Sequence, residues 1–340
     1  MREKYIDYSK AIGIVLVVLG HTEFIYSNFL YQFHLPLFFL LSGLVFNEKK
    51  ALDLTSYIKK KIKSLYIPFV VIETIFLILH NFFSKLHLYT VQSQTKIFLS
   101  IKDIFVRFLK IISLGGGEQL AGPLWFLIST IEITIIFAIL FRIIHTILPK
   151  WDIYILLILT LMLYFIGWNI KLPRMLSQSC IGIFFYTCGY AIRNEKKLIS
   201  SNFIFFAISI IVCVVTSRVN VVDISRLKVE SSILFIISGL CGSYACIYIA
   251  KLIEKHNSSI LSYCGKNTIS ILALHCISFK VIMIIEIIIY KENIIQLGCF
   301  PVYMKNNIWC IPLTLTGIIL PLSLKKTCDL LREFYEKKIN

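Results

Sequence analysis

The candidate catalytic and binding residues of this sequence are ionisable side chains inside long apolar runs. They are His21, Glu23, His34, Glu73, Glu132, His275, Lys280 and Glu286. Such groups are costly within a membrane, and they usually face a cavity or a partner. Imidazole exchanges a proton near neutral pH, so each histidine is a candidate general base. Their spread along the chain predicts no metal site.

Lys10 and His21 share one face of the first predicted helix. Eleven residues at about 100° each make three turns plus about 20°, and they separate the two side chains by about 16 Å along the axis. Asp7 lies one turn before Lys10. This spacing suits a ligand with an anionic end at Lys10 and a reactive end at His21. The alternative is a histidine hydrogen-bonded within a helix bundle and a lysine that only reaches the lipid headgroups.

Two other segments carry candidate residues on apolar helices. His34 is the first residue of the run His34-Leu35-Pro36-Leu37. Within a span, Pro36 would leave backbone groups without their helical hydrogen bonds. Trp125 begins a later span, and Glu132 follows seven residues on, on the same face. The alternatives are a kinked packing helix with one interfacial histidine and a tryptophan of the interfacial aromatic belt.

The composition restricts the class of protein. The 340 residues are 57% hydrophobic and only 16% charged, and the mean hydropathy is +0.80. A soluble domain carries about 25% charged residues, so a water-soluble enzyme and a disordered chain are both excluded. The net charge of +16 indicates basic residues that flank membrane spans rather than a nucleic-acid-binding surface. The ten cysteines lack the spacing of a metal or redox motif.

The predicted fold is therefore an all-α, polytopic membrane protein with one domain over residues 1–340 and no large soluble domain. About 20 apolar residues cross a bilayer. On this measure the chain holds about ten transmembrane helices, at 11–27, 29–46, 65–83, 123–148, 152–169, 178–193, 202–217, 231–250, 268–290 and 308–324.

The distribution of basic residues predicts the orientation. With the N-terminus inside, 22 of the 35 lysines and arginines lie on the cytoplasmic side, 12 lie outside, and Lys280 lies within a span. Cytoplasmic segments of membrane proteins carry the excess of positive charge. We therefore expect a multi-pass protein of the cell membrane with both termini in the cytoplasm, and the long loop 84–122 on the opposite side.

An amphipathic helix is predicted over residues 53–66, on the cytoplasmic surface. Leu54, Ile58, Ile62 and Leu65 recur at helical spacing, and Pro68 would end the helix. Its basic residues could attract an anionic ligand as a charged funnel; they are Lys59, Lys60, Lys61 and Lys63. The alternative is plain anchoring to lipid headgroups.

Taken in order, several motifs resemble the acyltransferase-3 family of integral-membrane O-acyltransferases, and most closely its stand-alone sugar O-acetylases of the fucose 4-O-acetylase kind. The resemblance covers nearly the whole chain. It rests on Tyr5-Ile6-Asp7-Tyr8-Ser9-Lys10, Leu19-Gly20-His21, Phe33-His34-Leu35-Pro36-Leu37-Phe38-Phe39, Leu41-Ser42-Gly43, Leu124-Trp125-Phe126-Leu127, Gly265-Lys266-Asn267-Thr268 and Leu274-His275.

The resemblance implies a cytoplasmic acyl-CoA donor, with acetyl as the usual group, no tightly bound cofactor, and an acceptor hydroxyl on a carbohydrate. It implies that His21 is the general base or the acyl-accepting nucleophile. Lys10 corresponds to a family position that is usually arginine. Lysine keeps the positive charge but cannot form the two parallel hydrogen bonds of a guanidinium. The lysines at 59–63 would attract the nucleotide phosphates. Possible wall or supporting residues are Asp7, His34, Trp125, Glu132 and His275.

Two other functions fit a chain of ten spans. A transporter or flippase of lipid-linked sugars also uses buried charges and broken helices, although no inverted repeat is apparent. A purely structural membrane subunit would gain nothing from buried histidines and glutamates, which cost stability. The ordered motifs favour acyl transfer.

Overall fold

The computed structural model describes residues 3–89, 97–193 and 201–339. Residues 90–96 of the predicted loop 84–122 lie outside these ranges. So do four basic residues counted for the orientation, Arg2, Lys96, Lys196 and Lys197. Within the described residues the chain is almost wholly helical, and six helices have the length and composition to cross a membrane. The predicted helical, polytopic fold is confirmed.

The helices in chain order are α1 (Lys4–Gly20), α2 (Ser27–Tyr31), α3 (His34–Leu44), α4 (Glu48–Leu52), α5 (Leu54–Lys61), α6 (Ile67–Lys85), α7 (Ile101–Ile112), α8 (Trp125–Ile147), α9 (Asp152–Asn169), α10 (Leu176–Ile192), α11 (Phe203–Val219), α12 (Ser232–Glu254), α13 (Ser259–Lys266), α14 (Thr268–Tyr290) and α15 (Cys310–Ile339). Two-residue strands β1 (Val222–Asp223) and β2 (Lys228–Val229) pair antiparallel between α11 and α12.

Helix α1 lies at the centre of the bundle, in contact with α3, α12, α13, α14 and α15. Its apolar residues face these neighbours and are buried, among them Tyr8, Ala11 and Val18. We call the end of the bundle where α1 begins the Lys4 end and the opposite end the His21 end. Because α1 is enclosed by other helices, its polar residues face protein rather than lipid.

The first two predicted spans have the wrong bounds. Helix α1 covers 4–20 instead of 11–27, and the segment predicted at 29–46 forms the short α2 and the 11-residue α3. Glu23 is consequently an exposed loop residue and not a residue of a span. Pro36 is the third residue of α3, where a missing N–H costs no helical hydrogen bond. The proline therefore lies in the first turn of α3 and does not kink it.

Helices α3 and α10 approach each other at two glycines. A Cβ on Gly43 would lie 1.9 Å from the carbonyl oxygen of Tyr186, and one on Gly189 would lie 2.0 Å from the carbonyl oxygen of Leu40. Small residues allow such backbone contact between helices in membranes. This packing fixes α3, and with it His34, against α10.

The helix predicted at 53–66 does not end at Pro68. Helix α5 is followed by a π-helical turn, Ile62–Tyr66, and then directly by α6, so that helical structure continues from Leu54 to Lys85. Proline lacks an N–H and its ring crowds the carbonyl four residues earlier. The wider π turn just before Pro68 accommodates that ring without ending the helix.

The predicted loop 84–122 contains an amphipathic helix, α7. A capping box formed by Ser100 and Asp103 begins it. Ile101, Phe105 and Leu109 form an exposed apolar row at helical spacing. Such a row is typical of a helix that lies on a membrane surface, so this segment is more ordered than a loop.

Candidate active site

A cavity of about 270 Å³ opens at the His21 end of α1. Six parts of the chain form its wall: the end of α1, the segment that leads into α3, the start of α8, the hairpin of β1 and β2, α14 at Leu272, and the loop after α14. The side chains that matter chemically in this wall are His21, Tyr31, His34, Trp125, Asp223, Ser225, Arg226 and Phe300.

His21 is positioned by the way α1 ends. Gly20 is the last helical residue, and the Tyr31 ring lies so close that a Cβ on Gly20 would be 2.9 Å from it. The Tyr31 hydroxyl donates a hydrogen bond of 2.9 Å to the Gly20 carbonyl oxygen. The tyrosine thus satisfies a carbonyl that the helix end leaves free. It also holds His21, the next residue, at the cavity wall.

His21 is hydrogen-bonded to a second histidine, His275 of α14. Nε2 of His275 lies 3.0 Å from Nδ1 of His21, and the two rings are nearly parallel with centroids 5.0 Å apart. Nδ1 of His275 lies 3.0 Å from the Ile271 carbonyl oxygen, which only accepts. The His275 proton is therefore on Nδ1, and Nε2 accepts the Nδ1 proton of His21. This arrangement leaves Nε2 of His21 with a lone pair, as a general base requires.

His34 lines the same cavity as His21. Its Nδ1 donates to the Leu30 carbonyl oxygen at 2.8 Å, so Nε2 carries the lone pair. The ring is buried and lies 5.2 Å from the Tyr31 ring, centroid to centroid. The structure thus brings His21, His34 and His275 together from two distant parts of the sequence.

Of the two candidates on α8, Trp125 lines the cavity and Glu132 does not. The Glu132 carboxylate accepts a 2.6 Å hydrogen bond from the hydroxyl of Ser179 on α10. Trp125 and Glu132 therefore have different surroundings: Trp125 faces the cavity and Glu132 packs against α10. In this structure Glu132 joins two helices.

Lys10 and Asp7 lie towards the Lys4 end, away from the cavity. Lys10 is half-buried within α1 and close enough to Lys61 for the two charges to interact. Asp7 is buried, and its backbone carbonyl packs directly against Gly265 of α13. The bundle thus separates a basic region, Lys10 with Lys61, from the histidines.

The remaining basic residues of the predicted amphipathic helix are at the surface. Lys59, Lys60 and Lys63 are exposed, whereas Lys61 is half-buried with its Nζ 5.3 Å from the centre of the Tyr57 ring. The four lysines therefore have different surroundings, and Lys61 is close enough to Lys10 for the two charges to interact.

The sequence did not predict the part of the wall formed by Tyr31 and the hairpin. Asp223, Ser225 and Arg226 form a short polar run between two apolar helices. That run was the signal available in the sequence. It does not distinguish a site from an ordinary loop, because polar residues in a connection between spans are usually only solvated. Its position over the histidines depends on contacts that are distant in sequence.

A buried ionic cluster holds the segment that leads into α8. Glu118 contacts Nδ1 of His80 at 2.5 Å and Nη1 of Arg107 at 3.0 Å, and its backbone N–H donates to Glu73 at 2.8 Å. We call these four residues the Glu118 cluster. The 3₁₀ turn Gln119–Leu124 follows at once and contributes Gly122 and Pro123 to the cavity wall. The cluster therefore fixes this wall to α6 and α7.

His80 is a further ionisable residue within an apolar run, in the same predicted span as Glu73, and it is not among the candidates predicted from the sequence. Two others from that set have structural partners: Lys280 donates to the Cys299 carbonyl oxygen at 2.6 Å, and Glu286 accepts from the Lys305 backbone. Among residues 3–89, 97–193 and 201–339, no group of three histidine, cysteine, aspartate or glutamate side chains could hold a metal ion.

Comparison with known proteins gives one match. The family model described as "Acyltransferase domain" matches residues 3–325, nearly the whole chain. No curated protein and no solved structure matches the chain significantly.

Proposed function

The chain belongs to this family of membrane acyltransferases, and from that premise we propose that it transfers an acetyl group from acyl-CoA to a hydroxyl group of a carbohydrate. The observation that carries the proposal is the His21–His275 pair at the wall of the cavity. A histidine held in one tautomer, with a lone pair available beside a cavity, is equipped to deprotonate a hydroxyl group.

In the proposed reaction His21 acts as a general base. Its Nε2 takes the proton of the acceptor hydroxyl while the hydroxyl oxygen attacks the carbonyl carbon of the thioester. The tetrahedral intermediate then releases the CoA thiolate, which receives the proton back from His21. An ester and free CoA result. His275 orients the His21 ring by accepting a hydrogen bond from its Nδ1–H, as the third group of a hydrolase triad orients the base.

We assign the anionic end of the donor to Lys10 and the neighbouring lysines. Lys10 and His21 are about 16 Å apart along α1, which suits a molecule with phosphates at one end and a thioester on a long arm. Lys61 belongs to the same end because it is close enough to Lys10 for the two charges to interact. The exposed residues of the cluster, Lys59, Lys60 and Lys63, would raise the local concentration of the polyanionic donor.

The acceptor would occupy the cavity at the His21 end. Its wall combines the aromatic rings of Tyr31, Trp125 and Phe300 with a few polar groups. Flat aromatic faces pack against the C–H surfaces of sugars, and sparse polar groups fix the orientation of a ligand. This mixture supports a carbohydrate acceptor over a purely apolar alcohol. Asp7 and Glu132 take no part in the proposed reaction.

The function is tested by incubating the purified protein in lipid nanodiscs with radiolabelled acetyl-CoA and a panel of glycans. We expect CoA release that depends on an added acceptor, and label in an alkali-labile ester. A flippase of lipid-linked sugars would instead move its substrate across proteoliposome membranes without consuming acetyl-CoA, and that result would contradict the proposal.

Replacing Lys10 tests the donor end. Lys10→Ala should raise the KM for acetyl-CoA by about ten- to 150-fold, the equivalent of a hydrogen bond to a charged group. The KM of the acceptor should stay within about twofold. Lys10→Arg should keep most of the activity, because arginine also pairs with phosphate. Equal, wild-type KM values for acetyl-CoA in both variants would remove Lys10 from the donor site.

We further propose that the Lys4 end faces the cytoplasm and the His21 end the outside of the cell membrane. In a cysteine-free background, Lys305→Cys should then react with an impermeant maleimide on intact cells, and Lys60→Cys should react only after lysis. Both side chains are exposed, on opposite ends of the bundle. Labelling of Lys60→Cys on intact cells would reverse the orientation.

A further inference from the structure

The hairpin of β1 and β2 brings a pair of opposite charges to the cavity. Asp223 and Arg226 are the carboxylate and the guanidinium among the lining residues. Nε of Arg226 lies 3.5 Å from Oδ2 of Asp223, and their side chains are 78% and 27% exposed. The two charges cancel, so these groups add hydrogen-bonding capacity to the wall without adding net charge.

The hairpin is rigidly attached beside the two histidines. The Val222 N–H donates to Asn28 at 3.3 Å, and the amide of the fully buried Gln32 donates to the Asn220 carbonyl oxygen at 2.7 Å. Asn28 and Gln32 both belong to the segment between His21 and His34. The same segment therefore positions the imidazoles and the base of the hairpin, which fixes the distance between them.

The tip of the hairpin is ordered as well. Oδ1 of Asp223 accepts the Ser225 hydroxyl at 2.5 Å and the Arg226 N–H at 3.2 Å. From α10, the Gln178 amide donates to the Ser225 carbonyl oxygen at 3.3 Å. A polar group that is held in place before a ligand arrives loses little entropy on binding. The Asp223 carboxylate and the backbone at the tip of the hairpin are thus preorganised.

We propose that Asp223 and Arg226 select the acceptor by binding two hydroxyl groups next to the one that His21 deprotonates, and that the acceptor is a neutral sugar. This inference rests on the proposed acyl transfer. A carboxylate accepts O–H donors and a guanidinium donates to hydroxyl oxygens, so the pair suits a vicinal diol. An acidic sugar would bring a second carboxylate against that of Asp223, and the two like charges would repel each other.

The test uses the whole protein in nanodiscs with labelled acetyl-CoA and three probes: the methyl glycoside of a neutral hexose that serves as acceptor, its deoxy analogue that lacks a hydroxyl beside the acylated one, and the corresponding hexuronic acid. The wild type should use the hexoside with a kcat/KM at least about tenfold above that of either other probe, because a site built to bind a hydroxyl rejects analogues that lack it.

Two variants of the pair distinguish an effect on acceptor selection from a general effect on folding. Asp223→Asn and Arg226→Gln should each raise the hexoside KM by about ten- to a hundredfold without raising the KM for acetyl-CoA. Asp223→Asn should in addition narrow the preference for hexoside over hexuronate, because the repelling carboxylate is gone. Lys228→Gln is the matched control, an exposed residue of the same hairpin outside the cavity wall, and it should behave as wild type.

Three results would overturn the inference. The first is a hexuronate that the wild type prefers over the neutral hexoside. The second is an acceptor KM for both Asp223→Asn and Arg226→Gln that equals the acceptor KM of Lys228→Gln. In both cases acyl transfer itself stands and only the selection is refuted. The third is an absence of transfer to every glycoside, together with no consumption of acetyl-CoA, which would refute the proposed function and the selection with it.

Discussion

His21→Ala should lower the rate of acyl transfer by about 10²–10⁴-fold, the usual contribution of a general base. The variant removes the only nitrogen in the proposed scheme that takes the proton of the acceptor. His275 cannot replace it, because its Nδ1 donates to Ile271 and its Nε2 faces His21. Single-turnover kinetics with saturating acetyl-CoA and acceptor measures the effect on chemistry alone.

The control for this variant is His256→Ala. His256 is exposed at the Lys4 end, beyond α12, and its loss should leave turnover unchanged. Both variants should elute as single species from a sizing column in detergent, because His21 is half-buried and borders a cavity rather than the core. Turnover of a folded His21→Ala protein within about threefold of wild type would contradict the assignment, and His34 would become the candidate base.

Glu118→Ala should lower the free energy of unfolding by about 3–5 kcal/mol, the cost of removing one member of a buried ion pair. Glu118 is buried, and the substitution leaves His80, which is also buried, and Arg107 without their shared carboxylate. Thermal unfolding in detergent should show a clear fall in melting temperature. Because the adjoining turn forms part of the cavity wall, the acceptor KM should rise in the protein that stays folded.

Glu292→Ala is the matched comparison for Glu118. Glu292 pairs with Lys305 near the surface, where Lys305 is 50% exposed, and exposed ion pairs contribute little to stability. Its melting temperature should stay close to that of the wild type. The melting temperature of Glu118→Gln should lie between those of Glu118→Ala and Glu292→Ala, since an amide oxygen still accepts one of the two hydrogen bonds. Identical melting temperatures for Glu118→Ala and Glu292→Ala would show that the Glu118 cluster does not anchor the wall.

The class of fold follows from the amino-acid sequence alone. Eight of the ten predicted spans, from 65–83 onwards, each overlap one long helix in the described residues, because apolar content over about 20 residues is a local property that a membrane selects directly. Local pattern also indicated His21 and His34, which are polar residues where burial is costly, and the helical period placed Lys10 and His21 on one helix.

Helix ends and breaks depended on neighbours in space. The first span ends at Gly20 because Tyr31 folds back onto its last carbonyl. Helical structure continues past Pro68 because a π turn makes room for the ring. Neither result follows from residue propensities, since a local pattern does not specify which side chain will satisfy a free carbonyl or whether a helix can widen to accept a proline.

Which polar residues act together depends on how the helices pack. His21 and His275 are 254 positions apart in sequence, Glu118 meets His80 across 38 positions, and the hairpin reaches the cavity through amides of the segment before α3. Each of these contacts requires two or more helices to be packed first. The sequence indicates which side chains must find a partner when buried, because an unpaired polar group is costly there, but the identity of the partner follows from how the helices pack.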